Sequence, residues 1–321
     1  MSDLRRRVSG ASAFLCAAVL AGCGGSNPPV APVAQVQSAD SSGSRIDPHA
    51  AGSDLLYVSD LNQNAVYIFT YPAGKLVGTL KGFHAPHGEC LDAAGDVFVT
   101  DSADREIFEY PRGSTHRIAT LDDSSGFPMH CAVDPLTGNL VVTNFPLLSG
   151  AGNVVTYVHA RGSAQPLAHS SVGIPYFAAY DAKGNLWVDG MDSHAQYFQF
   201  GELPAGRKKW RAVTLPHRVA FPGAVQWVGD ELVVGDQVNL DGPSAIYEFS
   251  LRNGRATLVG TTPLRNSCDV LQFQVDGGTV VASNTCEKAV LYFDFPRGGK
   301  SIQSITTDLS QPVGIVIDPR R

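Results

Sequence analysis

Beyond residue 52 the chain alternates short apolar runs, rich in Val, Leu, Ile, Tyr and Phe, with clusters of Gly, Pro, Asn and Asp. Runs of this length bounded by turn residues predict strands rather than helices. One run recurs: Leu55–Asp60, Asp96–Asp101, Asn139–Asn144, Asn185–Gly190, Glu231–Asp236 and Thr279–Asn284, their last residues spaced 41, 43, 46, 46 and 48 apart. Each from the second on is preceded by a run opening at Pro86, Pro128, Pro175, Pro222 or, in the last unit, Cys268. Proline fits the first position of a strand, where no ladder donor is needed. A third run follows and closes on a turn, Tyr71-Pro72-Ala73-Gly74, Tyr110-Pro111-Arg112-Gly113, Leu203-Pro204-Ala205-Gly206 or Phe295-Pro296-Arg297-Gly298. Proline presets φ at the first turn position and Gly accepts the left-handed one.

Each unit thus predicts four short antiparallel strands, and six such units without intervening helices predict an all-β, six-bladed β-propeller. The first unit lacks its opening strand, while Gln311–Asp318 stands alone at the C-terminus. That strand is expected to complete the first blade and close the ring, removing two exposed sheet edges. Composition agrees: charged residues are 17%, and 33 Gly with 20 Pro supply the turns. Net charge is −6, and −8 once residues 1–22 are set aside, so nucleic acid is not expected as a partner.

The N-terminus carries Arg5, Arg6 and Arg7 before an apolar stretch from Ala11 to Gly22, too short to span a bilayer. It predicts a signal peptide over residues 1–22. Leu20-Ala21-Gly22-Cys23 resembles the bacterial lipobox, which implies that Cys23 is lipidated and that the mature chain is anchored to a membrane. Gly24 after that Cys implies outer-membrane sorting in a host with two membranes. Residues 23–51, rich in Gly, Pro and Ser, are expected to form a flexible tether to a propeller spanning 52–321.

Pro86-His87-Gly88-Glu89-Cys90-Leu91-Asp92 with the following Gly95 and Asp101, and the terminal Pro312-Val313-Gly314-Ile315-Val316-Ile317-Asp318, resemble NHL-type repeats. The resemblance implies the propeller superfamily and little about activity, because this architecture hosts lyases, lactonases and pure binding modules. First-strand starts and second-strand ends share one face, around the mouth of the central channel. Reading one residue past each opening position places His87, Met129, Tyr176, Gly223, Asp269 and Val313 there. Asp60, Asp101, Asn144, Asp236 and Asn284 join them from the second strands, with Asp189 one step earlier in its own. The nonrepetitive polar set His87, Glu89, His130, Tyr176 and Asp269 is the candidate binding site. For the strand-end Asp and Asn residues, bonding the backbone of a neighbouring loop is the stronger expectation.

His87 resembles a zinc ligand of the peptidyl-hydroxyglycine lyases, but those enzymes need three converging His and the equivalent positions here offer Met129, Tyr176, Gly223 and Val313. Gluconolactonase-like propellers hold a divalent cation with Glu, Asn and Asp, and only Asp269 and Glu89 approach that set. Calcium or zinc is therefore a minor expectation and no catalytic residue is assigned. Cys16 and Cys23 belong to the leader, leaving four cysteines. The Asp276-Gly277-Gly278 turn lies midway between Cys268 and Cys286 and predicts a cross-strand disulfide. Cys90 and Cys131, on adjacent blades but one position out of phase, are expected to be buried free thiols. The loops after the second strands of units three and five, with Leu147 and Leu148 in the first, are either a contact patch or a cover for the neighbouring blade. The expected function is that of a monomeric, lipid-anchored, extracytoplasmic propeller binding a protein or small molecule; the alternative is a metal-dependent hydrolase or lyase.

Overall fold

The computed structural model describes residues 43–320 apart from positions 149, 169, 239–242 and 253. Cys23, the signal peptide and most of the tether lie outside the described residues. Six antiparallel sheets form a closed six-bladed propeller, each blade running outward from its first strand. The innermost strands, Pro312–Asp318, Pro86–Leu91, Phe127–Val133, Ile174–Tyr180, Pro222–Val228 and Phe273–Asp276, touch in that cyclic order and the last returns to the first. Among the described residues no helix is long and apolar enough to cross a membrane.

The C-terminal strand does complete the first blade: Pro312–Asp318 pairs with Asp54–Asp60 in antiparallel register from Leu55 opposite Asp318 to Asp60 opposite Pro312. The propeller also begins earlier than residue 52. Arg45–Ile46 pairs with Gly78 and Thr79 as a fifth, outermost strand of that blade, and a short 3-10 turn, Pro48–Gly52, follows it. The end of the expected tether is thereby part of the fold.

Packing explains why the strands read as continuous apolar runs rather than as alternating ones. Both faces of each sheet press on neighbouring blades, so Leu55, Leu56, Tyr57 and Val58 are all fully buried. One core cluster joins Tyr57 and Ile68 of the first blade to Val99 and Phe108 of the second; another joins Leu56 and Phe69 to Val281 and Tyr292 of the sixth. The repeated turns behave as their residues dictate, with Gly113 at φ 62° and Gly298 at φ 64°.

The strand-end carboxylates act as bolts. Asp60 accepts the backbone N–H groups of Ser310 and Gln311, Asp101 those of His84 and Ala85, and Asp236 those of Ala220 and Phe221. In each case the next residue is the proline that opens the inner strand and has no N–H to offer. The repeated Asp and Pro are thus two halves of one local device, and these carboxylates are committed to the scaffold.

Two expectations about cysteine meet different outcomes. Cys268 and Cys286 are joined, with Cα atoms 5.9 Å apart. Cys90 and Cys131 are joined as well, Cα to Cα 5.7 Å, rather than being free thiols. Cys90 stands four residues after Pro86 and Cys131 three after Pro128, which is the difference of phase between them. Facing inner strands of adjacent blades share no ladder, so nothing ties their phases together.

Candidate functional site

Just after its proline the inner strand slips register in five blades. A bulge of this kind leaves a residue outside the ladder and re-aims its side chain. His87, Met129, Tyr176 and Val313 come from these positions and line a cavity of about 250 Å³ at the channel mouth. Gly223 supplies no side chain at its place, and Phe221 and Gln237 fill in beside it.

The sixth blade supplies Leu271, not Asp269. Phe273 pairs with Ala282 there, and the spacing of the second, fourth and fifth blades, three residues back along the inner strand against two along its partner, sets Val270 against Asn284, where those blades have proline. The opening assigned to Cys268 is therefore two residues early. Asp269 lies outside the mouth beside the Cys268–Cys286 bond, at φ 49°, with Thr285 Oγ1 3.5 Å from its Oδ2.

The cavity wall is aromatic: Phe145 lies 4.5 Å and Phe221 5.4 Å from the Tyr176 ring, centroid to centroid, both edge-on. Its polar contributions are His87, Tyr176 and Gln237, with no Lys, Arg, Asp or Glu in the lining. Burial pushes the pKa of His87 down to about 4, so the ring is neutral at pH 7. Burial, with a smaller contribution from Asp189, pushes the Tyr176 phenol up to about 12. Asp189 is fully buried behind this wall; burial raises its pKa well above the usual carboxylate range, and Phe177 N–H donates to its Oδ1 at 2.9 Å.

Glu89 and His130 do not reach the mouth. They line a second compartment of about 290 Å³ farther down the channel, which shares no lining residue with the first. Burial raises Glu89 to about 8, partly offset by Ser59 Oγ donating to its Oε1 at 2.7 Å, and its Oε2 has no partner. Burial lowers His130 to about 3, and its Nδ1 lies 3.3 Å from the Ala178 N–H. In this lower compartment the Gln272 amide of the sixth blade reaches past the first blade to the second, accepting from Glu89 N–H at 3.2 Å and donating to Glu89 C=O at 2.9 Å.

Of the five residues in the candidate set, His87 and Tyr176 come together at the mouth, Glu89 and His130 lie below, and Asp269 is apart. Among the described residues, no three His, Cys, Asp or Glu side chains come together as a metal site would require. Phe145 and Gln237 are the first residues of the two loops after the second strands of units three and five, following directly on Asn144 and Asp236, whereas Phe221 and Leu271 were not anticipated. Leu148, in the loop beyond Phe145, is 83% exposed, and Leu147 is partly so; they do not form a buried cover.

No family model matches the chain, and no curated protein matches it. Among solved structures it is similar to a chain of the "Crystal structure of Nidogen/Laminin Complex", with a TM-score of 0.67 and 12% identity over 84% of this chain and 100% of that one. At that identity the likeness shows the fold alone. The two disulfides fit an oxidising, extracytoplasmic compartment.

Proposed function

We propose that the chain is a lipid-anchored, extracytoplasmic binding module whose rigid ring presents the mouth cavity to an uncharged ligand or to an apolar group of a partner protein. The observation that carries this reading is the cavity itself: apolar and aromatic walls, a few neutral polar groups and no charge are the makeup of a recognition pocket. A charged ligand would lose its hydration there without finding a counter-charge. The NHL-like pattern and the lipobox-like Leu20–Cys23 support the superfamily and the anchor. Attachment at Cys23 would hold the module at a membrane surface.

The test has two arms. Cys23→Ser is expected to release the protein from the membrane fraction or leave it unprocessed; normal processing with unchanged partitioning overturns the anchor. For the mouth, a hydrophobic dye such as ANS is titrated against the wild type and against Phe221→Asp. Saturable binding that the variant abolishes supports the cavity as the binding site, and equal binding by both proteins overturns it. Metal analysis of the purified protein supplies a further check, because stoichiometric calcium or zinc would move the function toward a hydrolase or lyase.

A further inference from the structure

The face of the ring away from the mouth has a concave site of different chemistry. A cleft of about 470 Å³ opens between the fourth and fifth blades. Two tryptophans form its aromatic part: Trp187 is buried, Trp227 is half-buried, and their rings lie 5.3 Å apart at 58°. Trp187 spends its indole N–H on Asp181 Oδ2 at 3.3 Å, whereas the Trp227 N–H has no hydrogen-bond partner.

The remaining walls are polar and balanced. Asp181, Glu202 and Asp230 face Lys183, Arg211 and Arg252, three charges of each sign, and Glu202 and Arg211 already approach to 3.6 Å. Ser250 adds a hydroxyl, while Asp181 and Asn185 are bonded to each other and to the local backbone: Asn185 Nδ2 donates to Asp181 Oδ2 at 2.7 Å and Ala205 N–H to Asn185 Oδ1 at 2.9 Å. An apolar ligand would strand the remaining polar groups without water. A strongly anionic or cationic ligand would meet as many like charges as opposite ones and gain no net field. The walls suit a neutral molecule with many hydroxyls, each both donor and acceptor, set against planar carboxylate and guanidinium groups. The half-buried Trp227 indole, with buried Trp187 behind it, adds the requirement for a C–H face that packs on an aromatic ring. A pyranose ring meets both conditions at once.

We propose that this cleft is a saccharide-binding site, separate from the mouth cavity and independent of what the mouth binds. The chain has three tryptophans, and two of them line the cleft, so indole emission reports on it directly. The full-length protein is titrated with maltotriose, cellotriose and chitotriose to ~10 mM, by emission and by calorimetry. A saturable response to at least one is expected. Trp227→Phe, and Arg252→Ala on the exposed rim, are expected to weaken it roughly tenfold or more while the thermal melt stays in place. Phe221→Ala at the mouth is expected to leave it unchanged. Silence from all three saccharides overturns the proposal. So does a response that survives both cleft variants, or one that only the mouth variant abolishes.

Discussion

The ring is secured by different means at two of its seams. Where the chain end meets its beginning, closure is noncovalent. Pro312–Asp318 lies along Asp54–Asp60, Asp60 catches the N–H groups of Ser310 and Gln311, and Arg320 N–H donates to Asp54 at 2.6 Å. Between the second and third blades the Cys90–Cys131 bond joins two inner strands that follow one another in the chain. The closure gathers many weak bonds between residues some 250 positions apart, and they form together or not at all. The bridge survives unfolding and acts by limiting how far the open chain can spread. Closure therefore decides whether there is a ring, and the bridge decides how far the unfolded alternative is disfavoured.

Removing residues 311–321 should have the largest effect. The first blade would lose its innermost strand, and cooperative melting followed by circular dichroism is expected to disappear. A truncated protein melting within a few degrees of the full chain would show that closure is not decisive. Cys90→Ala with Cys131→Ala should instead leave a cooperative transition, destabilised by about 4 kcal/mol or less in urea unfolding, given the 41-residue separation. If that pair of substitutions abolished cooperativity, the contrast between the seams would fail. Cys268→Ser with Cys286→Ser opens a shorter loop within one blade, separation 18, and should cost about 3 kcal/mol or less. Nonreducing peptide mapping should recover both linked pairs, and free thiols at either pair would remove the basis of these comparisons.

The smallest effect sharpens the closure seam through pH. Glu89 sits beside it, tied to Ser59 of the first blade and to Gln272 of the sixth. The native state holds its proton up to about pH 8, whereas the unfolded chain releases it near 4.5. Stability from this group is therefore complete below 4.5 and is lost as pH rises toward 8. His87 and His130, with lowered values, act in the opposite sense, losing stability as pH falls below 6.5. The stability difference between wild type and Glu89→Gln separates the contributions. It should shift in favour of the variant by on the order of 2 kcal/mol from about pH 5 to about pH 7. A difference that does not change with pH would mean that Glu89 is ionised throughout.

The architecture was legible because its punctuation has a local cause. Asp60, Asp101 and Asp236 need two backbone donors followed by a residue that has none, so the Asp and Pro positions announce every blade that keeps them. Where the sixth blade places Val270 instead of proline, the register was misjudged by two residues, and Asp269 was put at the mouth in place of Leu271. The Cys90–Cys131 bond was missed because contact between neighbouring blades follows the geometry of the ring and not ladder pairing. The site was legible where a bulge repeats, at His87 and Tyr176. Glu89 lies two residues beyond His87 and His130 one beyond Met129, and that small distance carries them into the lower compartment.

The mouth has an exposed rim, where Phe145 leads into the loop bearing Leu147 and Leu148. A bound molecule longer than the cavity can trail its far end into solvent over that rim. An affinity handle attached to that end would leave the buried end undisturbed.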